Sequence, residues 1–150
     1  MVTSASDKVL PPLPLPGHES RGFWEAARQG RFAIQRCADC RHWFHPPGVI
    51  CTECGSEKLS FETASGLGKV YSFSVMYDKR VRGFEQRVPY VSVWVELDEQ
   101  PLLVAVGNLV GVDPKNVRIG LPVEVFLEKL TDDVTLPQFR ARERAEGGGR

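Results

Sequence analysis

Four cysteines in two closely spaced pairs constrain this 150-residue chain more than any other feature. They form two Cys-x-x-Cys units, and ten residues lie between Cys40 and Cys51. Each unit turns the chain tightly enough to point two thiolates at one ion, and two facing units supply tetrahedral sulfur coordination. The pattern therefore predicts a small metal-binding ribbon whose ligands are Cys37, Cys40, Cys51 and Cys54.

Four thiolates favour Zn²⁺ over the competing interpretations. Two disulfides would need an oxidising compartment, and the N-terminal residues lack the regions of a signal peptide. A thioredoxin-like redox pair would need a βαβ pattern, which the sequence does not show. Iron suits the same S₄ geometry and is expected only as a substitute acquired during expression. Because four cysteines close the coordination shell, we expect one structural zinc ion per chain and no chemistry at the metal.

The residues beside the cysteines add two smaller expectations. Gly55 follows the second unit, where a left-handed backbone is often needed. Arg41 stands at the matching position of the first unit, and we expect it to place a cation near the anionic cluster instead. His42 and His45 are interpreted as packing or surface residues, because the four cysteines already complete the ligand set.

The rest of the sequence predicts a mainly β protein. Residues 18–29 show a helical pattern with an apolar face, and Gly30 is placed to end that helix. Runs rich in Val, Tyr, Phe and Trp follow, separated by turn residues, and they read as strands. These runs are residues 69–77, 90–97, 102–109 and 121–130. Four or five strands without an intervening helix predict a small barrel.

The chain divides into four predicted regions. Residues 1–17 form an extended, Pro-rich arm, which is either a tail or an element that packs on a partner subunit. Residues 18–61 hold the helix and the ribbon, and residues 62–140 hold the barrel. Residues 141–150, ending in Gly-Gly-Gly-Arg, are predicted to be disordered.

Charge and hydropathy argue against two classes of partner. Lys plus Arg and Asp plus Glu both number 19, so the chain lacks the positive excess of proteins that grip phosphate backbones. No apolar stretch is long enough to span a bilayer. The sequence therefore predicts no nucleic-acid partner, no membrane partner and a cytoplasmic location.

No catalytic constellation is visible in the sequence. The three histidines lie in the N-terminal third, and the paired carboxylates at residues 98–99 and 132–133 fall in predicted turns. One loop, residues 78–90, combines basic residues with an aromatic side chain that suits phosphate groups and an adenine ring. Its candidate ligand-binding residues are Lys79, Arg80, Arg82, Phe84 and Arg87. A solvated hairpin loop is the competing interpretation, and the sequence alone favours it.

The order of motifs resembles the DUF35 family over about residues 20–140. A Phe-Trp-Glu-Ala-Ala helix precedes the cysteine ribbon, which has Pro46-Pro47 before its third cysteine. The other motifs are Gly66–Ser72, Pro89-Tyr90, Gly120–Val125 and Leu136–Phe139. The resemblance implies a rubredoxin-like zinc ribbon followed by a five-stranded OB-fold barrel.

The resemblance also implies a function. DUF35 proteins are commonly accessory subunits of thiolase-fold enzymes that act on acyl-CoA, including thiolases, acyltransferases and steroid side-chain aldolases, and the catalytic residues belong to the partner. It implies a heterotetramer with two copies of each chain. Leucines of the arm and aromatic residues of the helix and ribbon are the candidate partner interface: Leu13, Leu15, Phe23, Trp24, Trp43 and Phe44.

Two other functions stay open at this point. Zinc ribbons and OB-folds both occur in proteins that bind single-stranded nucleic acid, although the neutral net charge opposes that function here. A stand-alone acyl-CoA-binding protein is the other alternative, and it predicts CoA affinity without any partner. The leading interpretation is the non-catalytic accessory subunit.

Overall fold

A computed structural model describes residues 9–143 of the chain. Residues 1–8 of the predicted arm and residues 144–150 of the predicted tail lie outside the described residues. The elements in chain order are α1 (Arg21–Arg28), β1 (Ala33–Cys37), β2 (Trp43–Phe44), β3 (Leu59–Thr63), β4 (Leu67–Met76), β5 (Tyr90–Leu97), β6 (Val104–Val110), a 3₁₀ turn (Pro114–Asn116), β7 (Pro122–Lys129) and β8 (Thr135–Ala141). No helix among residues 9–143 is long and apolar enough to cross a membrane.

The ribbon is a three-stranded antiparallel sheet in the order β2-β1-β3. Strand β1 is central, and Arg36 pairs with Trp43 of β2 on one side and with Ser60 of β3 on the other. The Gln35 side chain accepts a hydrogen bond from the backbone N–H of Gly48 at 2.7 Å and donates one to its carbonyl at 2.9 Å. The Gln35 amide therefore holds the loop that joins the two cysteine pairs against the central strand β1.

The second sheet is a closed five-stranded barrel in the order β4-β5-β6-β8-β7. Antiparallel pairs join every neighbour except β6 and β8, which run parallel where Leu109 pairs with Phe139. The predicted OB-fold architecture is confirmed, including a fifth strand in the segment that carries the Leu136–Phe139 motif. That strand continues to Ala141, and the Arg142 N–H donates to the Pro122 carbonyl at 3.0 Å. The predicted tail is therefore ordered at its first two residues.

One continuous apolar core joins the barrel, the ribbon and the helix. Inward-facing residues of β5 alternate with outward ones, so that Val91, Val93 and Val95 are buried. Helix α1 is three residues shorter at its start than predicted, and it buries Phe23, Ala26 and Ala27. The side chains of Phe139, Ile34, Leu97, Val70 and Val123 are fully buried.

A single barrel side chain connects the barrel to the edge of the ribbon. Gln100, in the turn between β5 and β6, accepts a hydrogen bond from the Trp43 backbone N–H at 3.0 Å and donates one to the Trp43 carbonyl at 2.9 Å. Strand β2 is an edge strand, and its outward backbone groups need partners when covered. The amide of Gln100 supplies both and so holds the ribbon against the barrel.

The described part of the Pro-rich arm packs on its own chain. Pro11 is buried, and a Cβ atom built on Gly83 would lie only 2.5 Å from the Pro11 backbone, so the arm lies directly on the basic loop. Leu15 is 94% exposed, and Leu13 is also exposed. The arm is thus anchored at Pro11, while its leucines near residue 15 remain on the surface.

Candidate metal centre

The two cysteine pairs meet at one point of the ribbon. The four Sγ atoms all lie within 4.8 Å of one another, and the Cys37–Cys54 and Cys40–Cys51 sulfurs are 3.6 Å apart. A tetrahedral ZnS₄ site with Zn–S bonds of 2.3 Å has S···S edges of roughly 3.8 Å. The donor set and its spacing therefore fit a metal ion with four thiolate ligands. Within residues 9–143, no other group of three or more potential ligands forms such a cluster.

The backbone of each cysteine pair follows the same turn. The N–H of Arg41 donates to the Cys37 carbonyl at 3.1 Å, and the N–H of Gly55 donates to the Cys51 carbonyl at 2.9 Å. Both residues adopt a left-handed backbone, with φ of 64° for Arg41 and 74° for Gly55. Arg41 therefore adopts the same left-handed backbone as Gly55, although it carries a side chain. Its guanidinium binds the Glu62 carboxylate at 2.9 and 3.0 Å, which helps to hold the strained residue in place.

The surroundings of the cluster shift the pKa values of two of its thiols in opposite directions. The backbone N–H of Cys40, supported by that of Asp39, outweighs burial and lowers the pKa of the Cys37 thiol to about 6. The backbone N–H of His42 favours the thiolate of Cys40. Burial and the hydrogen bonds with the other three thiol groups outweigh that effect and raise the pKa of Cys40 to about 12. Four thiolates at this separation repel one another, so a cation is needed before all four ionise.

Three of the six candidate interface residues belong to the core. Phe23, Trp43 and Phe44 are buried within the single chain, so they were wrongly predicted as exposed anchors. Phe23 packs edge-on against Phe32 at 6.2 Å, and Arg36 lies 4.4 Å above the Trp43 ring. Of the others, Trp24 is half-buried and lines a surface groove, and the two arm leucines are exposed.

The basic loop lies beside a cavity of about 350 Å³, which residues of β5 and β6 also line. Phe84 and Arg87 line this cavity, and the Phe84 ring packs on Tyr90 with centroids 5.0 Å apart. Arg80 instead binds Asp78 at 2.8 Å. In the part of the chain that the structure describes, Lys79, Arg82 and Arg87 form no ion pair. In the described structure, Arg80 is therefore paired with Asp78, whereas Lys79, Arg82 and Arg87 have no ion-pair partner.

The histidines show no catalytic arrangement among the described residues. His42 lies 3.4 Å from the Gln100 amide nitrogen, and His45 packs on Phe23 with ring centroids 5.1 Å apart. Burial lowers the pKa of His45, which keeps the imidazole neutral. Both residues were predicted to be packing or surface residues, and the structure places His45 in a packing contact and His42 in a part-exposed contact with Gln100.

Comparison with known families identifies the two parts of the chain. Residues 24–60 match the family described as "ChsH2, rubredoxin-like zinc ribbon domain", and residues 61–127 match "ChsH2, C-terminal OB-fold domain". A DUF35 domain-containing scaffold protein of Methanocaldococcus jannaschii is 35% identical over 100 residues, covering 65% of this chain and 68% of that protein. The chain is therefore a zinc-ribbon and OB-fold protein that belongs to the DUF35 family, as the motifs predicted.

Two further relatives are longer proteins. The "probable enoyl-CoA hydratase alpha subunit" of Thermomonospora curvata is 41% identical over 138 residues, which are 92% of this chain and 42% of the relative. The "3-oxo-4,17-pregnadiene-20-carboxyl-CoA hydratase alpha subunit" of Mycobacterium tuberculosis is 34% identical over 110 residues, which are 73% of this chain and 34% of the relative. The chain thus spans less than half the length of either protein.

Two solved structures share the fold. A chain of the structure described as "Ltp2-ChsH2(DUF35) aldolase" superimposes with a TM-score of 0.78 and 40% identity, covering 85% of this chain and 98% of that one. A DUF35 protein of Sulfolobus solfataricus, described as of unknown function, superimposes with a TM-score of 0.56 at 15% identity, covering 84% of this chain and 87% of that one. The second likeness concerns the fold alone.

Proposed function

We propose that this chain is a non-catalytic, zinc-bound accessory subunit that docks on a thiolase-fold acyl-CoA enzyme and supports its assembly and acyl-CoA access. The observation that carries the proposal is the structural likeness to the chain from the "Ltp2-ChsH2(DUF35) aldolase", of which 98% is covered by this chain. The partner enzyme is either an aldolase that cleaves steroid side chains or an enzyme of the thiolase or acyltransferase type. The complex contains two copies of each subunit.

The geometry supports a structural zinc ion in this subunit. Four sulfurs at tetrahedral separation complete the coordination shell, so no position is left for water or substrate. Zn²⁺ accepts this geometry without preference from its d electrons, and the ribbon family carries zinc in its name. The metal therefore folds the ribbon, and the chemistry belongs to the partner.

Hydration is not proposed for these residues. The two relatives named as hydratase subunits are covered by this chain over only 42% and 34% of their lengths. Among residues 9–143, His42 contacts the Gln100 amide and His45 packs on Phe23. The carboxylates with clear pKa shifts have lowered pKa values, held by arginine, lysine, serine hydroxyl or backbone donors. None of these carboxyl groups is raised toward the pKa that a general acid needs at neutral pH.

The first prediction concerns turnover with and without the partner. The purified chain alone is expected to convert no acyl-CoA substrate, whereas adding it to an Ltp2-type thiolase-fold subunit is expected to raise retro-aldol turnover of a steroid side-chain acyl-CoA at least about tenfold. Product formation followed by liquid chromatography measures the effect. Bovine serum albumin at the same concentration is the control for non-specific stabilisation. Unchanged partner activity together with separate elution of the two chains would contradict the proposal.

We also propose that the basic loop contacts the CoA part of the substrate. Within residues 9–143, three cations without ion pairs, Lys79, Arg82 and Arg87, lie on the loop. The cavity beside it is lined by Phe84 and Arg87 together with further apolar residues and with Asn108, Glu128 and Gln138. CoA combines phosphate groups with an adenine ring and an apolar acyl chain, and charge-assisted hydrogen bonds to phosphate are strong. Arg80 is a weaker candidate, because Asp78 already neutralises it.

The second prediction follows from the difference between Arg80, which is paired with Asp78, and the three cations without ion pairs. The triple change Lys79→Ala, Arg82→Ala and Arg87→Ala is expected to weaken CoA binding to the complex by about tenfold or more. Isothermal titration calorimetry measures it. Arg80→Ala is the matched control and is expected to change the affinity less than about twofold, because its charge is balanced by Asp78. Equal losses in both variants would contradict a CoA site on this loop, and CoA binding by the chain alone would favour the stand-alone binding protein.

A further inference from the structure

One outward face of the barrel departs from the polar surface expected of an antiparallel sheet. Outward positions of such a sheet are usually polar, and Ser72, Ser74 and Ser92 follow this rule. Trp94 and Val106 do not, since they are 53% and 54% exposed. They also pair directly with each other across β5 and β6, which makes one apolar patch from two strands.

The patch continues into a groove between the three parts of the molecule. Val106 lines this groove of about 390 Å³ together with Trp24 of α1 and Leu136 of β8. The ribbon contributes Pro46 and Pro47, from the loop between the two cysteine pairs. We call this surface the docking face, and its members are Trp24, Pro46, Pro47, Trp94, Val106 and Leu136. It is a composite surface, built from helix, ribbon and barrel together.

The docking face carries no charged side chain. The titratable group in the groove lining is His45, which burial keeps neutral and whose Nδ1 atom is buried without a hydrogen-bond partner in the described structure. A nucleic acid or an anionic lipid surface would need cations here. An uncharged, apolar protein surface fits instead, because tryptophan in a desolvated, uncharged setting is typical of the residues that dominate binding energy.

We propose that the docking face is where the thiolase-fold partner subunit seats an apolar, uncharged ridge, with the exposed Trp94, beside the groove and paired with Val106, as an aromatic anchor. This inference rests on the proposed function and deepens it by placing the contact. The occupant of the face is a different subunit. The aldolase structure, one chain of which is covered to 98% by this chain, is described with a second component, Ltp2. The face replaces the buried Trp43 and Phe44 as the source of aromatic contact, while the largely buried Phe23 lines its groove.

The test measures binding of the purified Ltp2-type subunit to variants of the full chain by biolayer interferometry. Trp94→Ser is expected to raise the Kd at least about thirtyfold, and Val106→Ser about tenfold. Val110→Ser is the matched control, because Val110 is an outward, half-exposed valine of the same strand outside the groove, and it is expected to leave the Kd unchanged. Melting temperature and metal content of each variant establish that the fold is retained.

Each outcome decides one claim. If the wild-type chain fails to bind the subunit, the proposed function falls and the docking face falls with it. If the wild type binds and Trp94→Ser and Val106→Ser bind as tightly as Val110→Ser, the docking face alone is overturned. If Trp94→Ser instead abolishes self-association of this chain in size-exclusion chromatography with light scattering, and leaves subunit binding intact, the occupant is a second copy and the inference is wrong.

Discussion

Replacing Cys51 with serine is expected to abolish metal binding and to unfold the ribbon. A structural zinc site contributes on the order of 10 kcal/mol of folding free energy, and a hydroxyl cannot replace the thiolate in that site. The ribbon sheet is small, and β2 has only two residues, so the contacts of the ribbon with the barrel core are not expected to offset the loss of the metal site. Metal analysis of the purified variant should fall from one ion per chain to a trace, and amide exchange in β1–β3 should become rapid.

The same substitution is expected to abolish complex formation. Pro46 and Pro47 lie on the loop between the cysteine pairs and form one wall of the groove, so this wall is lost when the ribbon unfolds. Thr52→Ser is the matched control, because Thr52 is an exposed neighbour in the same turn that supplies no ligand. A Cys51→Ser chain that lacks metal yet still binds and activates its partner would show that the metal site stabilises the ribbon locally and is not needed for complex formation.

The second large effect is expected from Phe139→Ala in the barrel. Phe139 is fully buried, and it sits on β8, where the barrel closes between Leu109 of β6 and Val125 of β7. A Cβ atom built on Gly107 would lie 3.0 Å from its ring, so the strands approach closely and cannot collapse into the space left by truncation. Phenylalanine-to-alanine changes at such sites cost about 3–5 kcal/mol. Denaturant unfolding of the metal-bound protein measures the loss.

Phe126→Ala is the matched control for that experiment. Phe126 lies on the neighbouring strand β7 but is only partly buried, with Arg140 positioned 6.0 Å above its ring. Its truncation removes less buried area, so the loss in unfolding free energy should be less than half of the loss at Phe139. Equal losses at the two positions would contradict the assignment of Phe139 to the centre of barrel closure.

Features encoded by short sequence spacing were predictable. The two Cys-x-x-Cys units need only a tight turn each, so their meeting at one point followed from local geometry. The strands were visible because buried valines of β5 alternate with outward residues, which places Val91, Val93 and Val95 inside. Their boundaries differ from prediction by a few residues, since backbone pairing with neighbouring strands decides where each strand ends.

Features that depend on distant contacts were not predictable. An exposed anchor and a core aromatic look the same in sequence, so Phe23, Trp43 and Phe44 were assigned to an interface. The pairing of Gln100 with the Trp43 backbone joins residues 57 positions apart, and no local signal marks it. Trp94 did leave a signal, because it stands in the outward row between Ser92 and Glu96, where a polar residue is expected. That apolar residue in an otherwise polar row marks an exposed apolar position of the barrel.

Native mass spectrometry of the co-expressed chains tests the central claim most directly. We expect one assembly that contains two copies of this chain, two copies of an Ltp2-type thiolase-fold subunit and one zinc ion for each copy of this chain. The same measurement on Cys51→Ser is expected to show the partner without this chain. Recovery of this chain as a free monomer, with the thiolase-fold subunit in a separate species of its own, would contradict the account.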